Sequence, residues 1–541
     1  MSGPHDPDRF YGPTLRASGT PAARGAADGA AGLNGAVLPE PDPALCRGLA
    51  ADLRDAGYTG EALRDAGGDA ADDAIARGLR RPADRALGAR DDALTVLGRL
   101  FTLGMPQPAA SVAHALPRTG VDGLVRLGLA ASAGDDVHPR AVVRPQAYED
   151  AGDGHWWIAS DLDEAALGGP LPEDHVLGVG GASLTLASLQ LPTAAARGLD
   201  VGAGCGIQAL RARRDVDHVV ATDISPRALA FTRLNALING VDGIETRLGS
   251  LFEPVAGERF DRIVSNPPFV ITPRVADVPA YEYRDGGMVG DDVVAAFVRG
   301  VGEHLEPGGI AQLLGNWETR DGIPGLERVR QWVADSPVPL DAWVVERESL
   351  DPLSYAELWV RDGGTLPGTP GFSRLIDAWL DDFTTRGVTE VGFGYLLLRR
   401  PATGIPTLSR CESLHQALPA DGLGGHLAAA LAAHDRLAAL DDEGLAASVF
   451  AVSPDVTEAR HHVPGAEDPT VIELRQGGGF GRALGVDPGL AALVGACDGD
   501  LPAGVLIDAI AELLGVDAAA LRADLVPRVR ELAFTGFLAF A

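Results

Sequence analysis

The sequence contains no lysine: all 45 basic residues are arginine, set against 75 carboxylates and a formal charge of −30. That balance excludes a surface that attracts phosphate backbones everywhere, so a nucleic-acid contact requires a local arginine patch. Cysteine is scarce as well. Cys46, Cys205, Cys411 and Cys497 are scattered along the 541 residues, with no CxxC and no close pairing with histidine. This argues against a zinc site and a disulfide framework, and reduced thiols in a cytoplasmic setting are expected. No basic segment followed by an apolar run opens the chain, and no uncharged apolar stretch reaches the length of a bilayer span. Neither a signal peptide nor a membrane anchor is expected.

The length calls for about three domains. Residues 1–40 are rich in Gly, Ala and Pro and read as a disordered tail. From 41 to 160 the pattern turns helical, with Leu45, Leu49 and Leu53, and later Leu94, Leu97, Leu100 and Leu103, at helical spacings. Short helices over 116–129, then strands at 141–145 and 155–159, give helices followed by a β-hairpin: a winged-helix-like substrate-recognition domain. Arg77, Arg80, Arg81, Arg85 and Arg90 form the densest basic run. Interleaved with Asp, they read as a solvated helix face; the sharper reading is a contact for RNA or an acidic partner protein.

Residues 401–541 read as an α+β accessory domain. Helix is expected at 422–440, strands at 448–453 and 470–475, and one amphipathic helical stretch at 501–538, with Phe534, Phe537 and Phe540 closing a second winged-helix-like fold. His461-His462 are neighbours with opposed side chains in a strand, so no metal role is assigned to them.

The chemistry lies between, in 161–400. A strand at 197–201 runs into Asp200-Val201-Gly202-Ala203-Gly204-Cys205-Gly206, and a helix starts at Ile207. A second strand, 218–222, ends at Asp223-Ile224 and is followed by a helix over 226–239. A third, 244–248, reaches Gly249-Ser250-Leu251-Phe252. A fourth, 260–264, reaches Asn266-Pro267-Pro268-Phe269. A helix at 292–305 and strands at 310–314, 340–346 and 391–399 complete an alternation that predicts a doubly wound, Rossmann-like α/β sheet, with ligands bound at the shared edge of the strand tips.

Gly202 and Gly204 lack a Cβ and allow close backbone approach to a ligand. Asp200 at the strand end suits a ligand ammonium better than a pyrophosphate. Asp223, about 20 residues on, is placed to accept both hydroxyls of a ribose. The Asn-Pro-Pro-Phe tip fits a planar amide or aromatic amine, a poor nucleophile because its lone pair is delocalised. The Asn266 side-chain oxygen and the Pro267 carbonyl each accept one N–H, tandem prolines stiffen the turn, and Phe269 offers a stacking face.

Residues 197–315, about a fifth to a third of the chain, resemble the class I S-adenosylmethionine-dependent methyltransferases of the small methyltransferase domain group. These include release-factor glutamine methyltransferases and ribosomal RNA guanine methyltransferases, and the tetrapeptide also resembles that of adenine methyltransferases. The resemblance implies S-adenosyl-L-methionine as cofactor, held by Asp200, Gly202, Ala203, Gly204, Gly206, Asp223, Ile224, Ser250, Leu251 and Asn266. It implies Asn266, Pro267, Pro268 and Phe269 as the catalytic set.

Ser250 stands where many relatives have Asp. Phe269 is closer to the RNA enzymes, although Val270 lacks the His they often show. The stretch from Tyr283 to Gly290 is similar to a Gly-Gly-x-Gly loop of the glutamine enzymes. The implied activity is N-methylation of a macromolecule, either a glutamine of a translation factor or an exocyclic amine of an RNA or DNA base. The alternatives are a small-molecule acceptor, or a cofactor-binding scaffold without catalysis. Asp174 to Gly181, just upstream, reads as a structural turn that is also positioned to cover the cofactor.

Overall fold

The structure, a computed structural model, describes residues 37–148, 154–167, 171–275, 278, 284–416, 422–465 and 467–541. The expected 1–40 tail thus falls almost wholly outside the described residues, as does Tyr283 of the Tyr283–Gly290 stretch. The chain forms two compact units: Met1–Ala187 with Ala194–Ser413, and Ser188–Thr193 with Leu414–Ala541.

The first unit opens with α1 (Pro43–Asp55), capped by Asp42, whose Oδ1 accepts from Ala44 N and Leu45 N at 2.9 Å each. Then come α2 (Gly60–Ala76), kinked at Gly68, α3 (Arg80–Leu87) and α4 (Ala93–Leu97), which runs on into a π turn. β1 (Gln107–Pro108), α5 (Ala109–Ala115), α6 (Gly120–Arg126), β2 (Ala130–Ala133) and β3 (Asp136–Pro139) follow, with an antiparallel sheet in the order β1-β3-β2. The hairpin expected at 141–159 is a separate two-stranded sheet, β4 (Ala141–Tyr148) with β5 (Gly154–Asp161). The module's own hairpin is β2–β3. Its first strand reads Ala-Ala-Ser-Ala, a composition without the β-branched signal that marks strands.

After α7 (Glu164–Leu167) and α8 (Gly181–Leu189) the central sheet begins. Its first half alternates β6 (Ala195–Val201), α9 (Ile207–Ala212), β7 (Val216–Asp223), α10 (Pro226–Ile238), β8 (Ile244–Leu248) and β9 (Phe260–Ser265). Its second half has α11 (Asp292–Val301), β10 (Leu305–Arg320), α12 (Gly325–Ala334), β11 (Asp341–Leu350), α13 (Pro352–Asp362), α14 (Pro370–Thr385), β12 (Val388–Arg399) and β13 (Ser409–Ser413). The strand order is β13-β11-β12-β10-β9-β6-β7-β8, with β6 to β10 parallel and β12 antiparallel to both β10 and β11. The order reverses at β6, which has β7 on one side and β9 on the other; that is the switch point where open α/β sheets bind ligands. This is a doubly wound, Rossmann-like α/β sheet, as expected. It extends past the expected boundary at 400, because β13 pairs in parallel with β11.

The N-terminal helices and the β4–β5 hairpin share one apolar core with α9 and α10: Leu49, Tyr58, Phe101 and Trp157 pack in the same cluster as Leu210, Phe231 and Leu234. Two asparagines on α10 make this joint specific. Asn239 exchanges hydrogen bonds with the backbone of Trp157, both 2.9 Å, and Asn235 with that of Ala159, 2.8 and 2.9 Å. Residues four apart on a helix are about 6 Å apart along its axis, and alternate residues of a strand about 6.8 Å, so the two amides stand in for a neighbouring strand along the edge of β5. Asn235 Nδ2 also bonds Cys205 O at 2.8 Å, which ties the hairpin to the glycine loop.

The second unit carries α15 (Gly424–Ala438), α16 (Asp442–Ala446), β14 (Val449–Val452), β15 (Val456–His461), β16 (Val471–Gln476), β17 (Ala483–Val486), α17 (Pro488–Ala496), β18 (Asp498–Pro502), α18 (Ala503–Leu514), α19 (Ala518–Thr535) and β19 (Leu538–Phe540). Two three-stranded sheets form, β18-β14-β19 and β15-β16-β17. The single helical stretch expected over 501–538 is two helices between two short strands. Gly515, at φ 68°, ends α18, and Asp517 caps α19 by accepting from Ala520 N at 2.8 Å. No helix among the described residues is long and apolar enough to cross a membrane.

The asparagine joint yields a stability prediction. Asn235 is fully buried, and Asn235→Ala strands the N–H and C=O of Ala159 and the C=O of Cys205. The change is expected to lower unfolding free energy by roughly 2–4 kcal/mol in denaturant titration, and half-buried Asn239→Ala to cost less. Two equal, negligible losses would show that the joint rests on apolar packing alone.

Candidate active site

Register builds the site. Val201, the last residue of β6, lies opposite Thr222 of β7 and Ser265 of β9, so the next residues of all three strands (Gly202, Asp223, Asn266) meet at one edge. Ser265, fully buried, locks this by donating its Oγ–H to Val201 O at 2.7 Å. The glycine loop is pinned from both sides. Gly202 N and Ala203 N donate to Thr222 O at 2.9 and 3.0 Å, and Gly204 N donates to Asp223 Oδ2 at 2.9 Å. Thr232 Oγ1 on α10 reaches Gly204 O at 3.1 Å. Gly202 and Gly204 have φ of 76° and 55°, and a Cβ on either would meet nothing within 4 Å, so backbone geometry and open space for a ligand demand glycine here. Gly206 shares the positive φ, 84°, but not the open space: a Cβ there would sit 2.9 Å from Thr232 Cγ2.

A cavity of about 420 Å³ occupies this edge, within the range of small-molecule sites. Gly202, Ala203, Gly204, Asp223, Ile224, Ser250, Leu251, Asn266, Pro267 and Pro268 all line it. Asp223 is pulled two ways: burial raises its pKa, and the N–H groups of Gly204 and Ser225, 2.9 Å from its two oxygens, lower it, with a net rise. Leu251 has φ 46°, a left-handed conformation that costs a non-glycine residue about 1–2 kcal/mol, and strain of this kind collects at ligand-binding walls.

Three expected site residues are placed otherwise. Asp200 and Gly206 are outside the cavity wall, and so is Phe269. Phe269 is only 7% exposed; its ring packs against Phe393 with centroids 5.4 Å apart. The apolar ring is buried where the sheet offers an aromatic partner, so the expected stacking face does not reach the cavity. Asp200 is fully buried and its carboxylate makes no hydrogen bond of full geometry among the described residues; burial pushes its pKa up to about 7, and the nearby Ala209 N–H offsets only part of that rise.

Asn266 is brought into the wall with one end held and one end open. Its Nδ2 donates to Ser183 Oγ at 3.3 Å, whereas its Oδ1 is buried without a partner among the described residues. Past Pro268 the chain is clamped. Phe269 bridges to Asp285, Val270 N donates to Arg284 O at 3.0 Å, and Ile271 N donates to Tyr355 Oη at 3.0 Å. Tyr355 on α13 is also held by Asn316 Nδ2 at 2.6 Å, and Arg284 reaches Asp362 at the end of α13 at 3.0 Å. Helix α13 therefore fixes both strands of the acceptor-side loop.

Sequence reasoning had missed Ser183, Arg274 and Tyr355. It had seen the Asp285-Gly286-Gly287-Met288 stretch without placing it; all four residues line the cavity, with Arg274 ion-paired to Asp285. The 174–181 segment, read chiefly as a turn, contributes His175, Val176, Leu177 and Gly178 to the wall, and burial holds the His175 imidazole below its usual pKa. For Ser183 the available signal was a hydroxyl in the first turn of the helix that follows the 174–181 segment.

The basic run divides. Arg80 is consumed by backbone carbonyls of Leu103, Gly104, Ala165 and Ala166, Arg77 bonds Asp73 O, and Arg90 pairs with Asp92. Arg81 and Arg85 border an open surface pocket. The four cysteines are free thiols, and among the described residues no group of three or more His, Cys, Asp or Glu is arranged to hold a metal.

The buried carboxylate gives a pH prediction. The folded Asp200 pKa, about 7, lies above its unfolded value, so its contribution to stability is complete below pH ~4 and is lost as pH rises toward 7. Thermal melts of the wild-type chain and Asp200→Asn, differenced across that window, are expected to converge at low pH and diverge in favour of the variant near pH 8. A constant difference would mean that Asp200 does not titrate there.

Comparison with known proteins agrees with this geometry. Residues 180–320 match the family model described as methyltransferase small domain. Residues 55–140 and 430–540 match two domains of unknown function, DUF7059 and DUF7782. A release factor glutamine methyltransferase of Geobacter sulfurreducens is 40% identical over 124 residues, 21% of this chain and 43% of that protein. A ribosomal protein uL3 glutamine methyltransferase of Bradyrhizobium diazoefficiens is 38% identical over 128 residues, 22% and 40% of the two chains. A ribosomal RNA small subunit methyltransferase C of Salmonella newport is 28% identical over 218 residues, 39% and 55%. The chain thus spans about half the length of these relatives. The match to the methyltransferase small domain family model is confined to residues 180–320, the segment that carries β6 to β9 and the cavity.

Proposed function

We propose that the chain is an S-adenosyl-L-methionine-dependent N-methyltransferase acting on a planar amide or amine nitrogen of a macromolecule. The observation that carries this is Asn266: a side-chain oxygen buried in a cavity wall with no partner among the described residues, its amide nitrogen already engaged by Ser183. A buried acceptor left open costs free energy unless a ligand donor fills it. When bound, the cofactor supplies an electrophilic sulfonium methyl group.

The chain's residues do the rest. Asn266 Oδ1 and the Pro267 carbonyl accept the two N–H bonds of the acceptor, orient its nitrogen and favour the positive charge that develops on it, before one proton leaves the methylated product. Asp223 receives the ribose, and Ser250-Leu251 borders the adenine. Asp200, outside the wall and with its pKa raised by burial to about 7, would favour the cofactor's positive charge only in its ionised form. The free, partly buried thiols suit a cytoplasmic setting.

The names of the relatives point to two acceptor classes, glutamine in a protein and ribosomal RNA. We read residues 41–139 as a winged-helix-like substrate-recognition module, on the element order α4-β1-α5-α6-β2-β3 and the sheet order β1-β3-β2, and 414–541 as an accessory unit.

Asn266→Ala tests the reading. It is expected to cut methyl transfer to a cell extract by about 10²–10³-fold, with S-adenosylhomocysteine affinity by calorimetry nearly unchanged. Full activity in the variant would remove Asn266 from catalysis; a parallel collapse of cofactor affinity would make it a cofactor residue only.

A further inference from the structure

Helix α18 of the second unit has more apolar surface than its own packing uses. Its inner face buries Ala503, Ile507, Ile510 and Ala511. Successive residues of a helix are about 100° apart, so the outer face divides lengthwise into two strips. Val505, Ala509 and Leu513, at i, i+4 and i+8, form one; all three are exposed, and Leu513 is 85% exposed. Asp508 and Glu512, at i and i+4, form the other and are exposed too. Apolar exposure continues past both ends of the helix, with Leu501 before it, Leu514 at its last position and Val516 after it each about half exposed.

The outer face of a helix that meets only water is normally polar. Only two of the twelve residues of α18 are charged, and five large apolar side chains lie open within 501–516. Surface of this kind marks docking sites in native proteins.

The charges nearby define what covers it. Residues 498–517 hold five carboxylates and no basic residue. Arg522 pairs with Asp508. The carboxylates of Glu512 and of Asp500, next to Leu501 in the chain, have no hydrogen-bond or ion-pair partner among the described residues. Asp498 and Asp517 accept the backbone N–H groups of Asp500 and Ala520, which leaves their charge in place. Asp508 and Glu512 are like charges one turn apart, an unfavourable pair on a bare helix. A second copy of the chain would bring the same carboxylates to the same interface, and a phosphate backbone or an anionic membrane surface would add to them. The face is complementary to a segment divided the opposite way, an apolar strip edged by Arg or Lys.

We propose that α18 is a docking surface for a basic amphipathic helix of a partner protein. Val505, Ala509 and Leu513 receive its apolar strip, and Asp508 and Glu512 face its cations. The surface belongs to the second unit alone and holds whichever acceptor is methylated.

The probe is a fluorescein-labelled leucine–lysine peptide of helical period, with a twin in which glutamate replaces lysine. Each is titrated against the full chain at about 0.15 M salt. Saturable binding of the lysine peptide is expected, with the twin bound about tenfold more weakly or less. Leu513→Ser and Val505→Ser alter exposed side chains and are expected to weaken the lysine peptide about five- to twentyfold, with the denaturant midpoint unchanged. Glu512→Gln is expected to weaken it about three- to tenfold. Ile405→Ser, at an exposed apolar residue of the first unit, is the control and is expected to bind like wild type. Sedimentation velocity reads the competing occupant: a concentration-dependent dimer that Leu513→Ser abolishes would assign the face to a second copy and overturn the proposal. No saturable binding, a twin that binds as tightly, or Leu513→Ser and Glu512→Gln variants that bind like wild type would overturn it as well.

Discussion

The site depends on one constraint, the parallel register that places β7 and β9 on either side of β6. Once Val201 is paired with both Thr222 and Ser265, the chain has no freedom over which residues leave the sheet together. Gly202, Asp223 and Asn266 emerge at the switch point as neighbours, although the sequence separates the first from the last by more than sixty positions. The side chains then reinforce what the register sets. The Asp223 carboxylate draws in the Gly204 N–H, the Ser265 hydroxyl crosses to β6, and α10 holds the loop's carbonyls through Thr232 and Asn235. Among the described residues, Asn266 Oδ1 is a buried acceptor left open at the cavity wall.

The same loop is where the N-terminal module connects to the sheet. Asn235 spends one amide on a strand edge and on Cys205, so an error in hairpin docking is felt two residues before α9 begins. The absence of lysine shapes this architecture. A guanidinium fork bonds several carbonyls at once, as Arg80 does between the N-terminal helices and α7 and as Arg530 does with Leu437 and Leu440. An ammonium is a single point charge and lacks that planar geometry. Many arginines that look like a basic surface in the sequence are therefore structural ties, and the free ones need to be found case by case.

Much of the central sheet was legible because its signals are local. Glycine spacing after a strand, an acidic residue on the next tip and Asn-Pro-Pro after the fourth each specify backbone conformation or chemistry within a few residues, and the structure gathers them. What failed was orientation and partnership at long range. Phe269 turns its ring to Phe393, well over a hundred residues downstream, and no local pattern records that contact. Tyr355 reaches Ile271 from a helix inserted between two late strands. The module's true hairpin hid in alanines, while the stronger strand pattern at 141–161 belonged to a sheet docked on α10. The 501–538 helix broke at Gly515, where a positive φ ends one amphipathic run and Asp517 starts another.

The measurement that tests the central claim most directly is the fate of a labelled methyl group. The chain is incubated with methyl-labelled S-adenosylmethionine and an extract from cells lacking its gene, and the product is divided between protease and RNase. Label fixed in a macromolecular fraction and released by one of the two enzymes is the predicted result, and the sensitive fraction names the acceptor class. Label absent from both fractions would contradict macromolecular N-methylation.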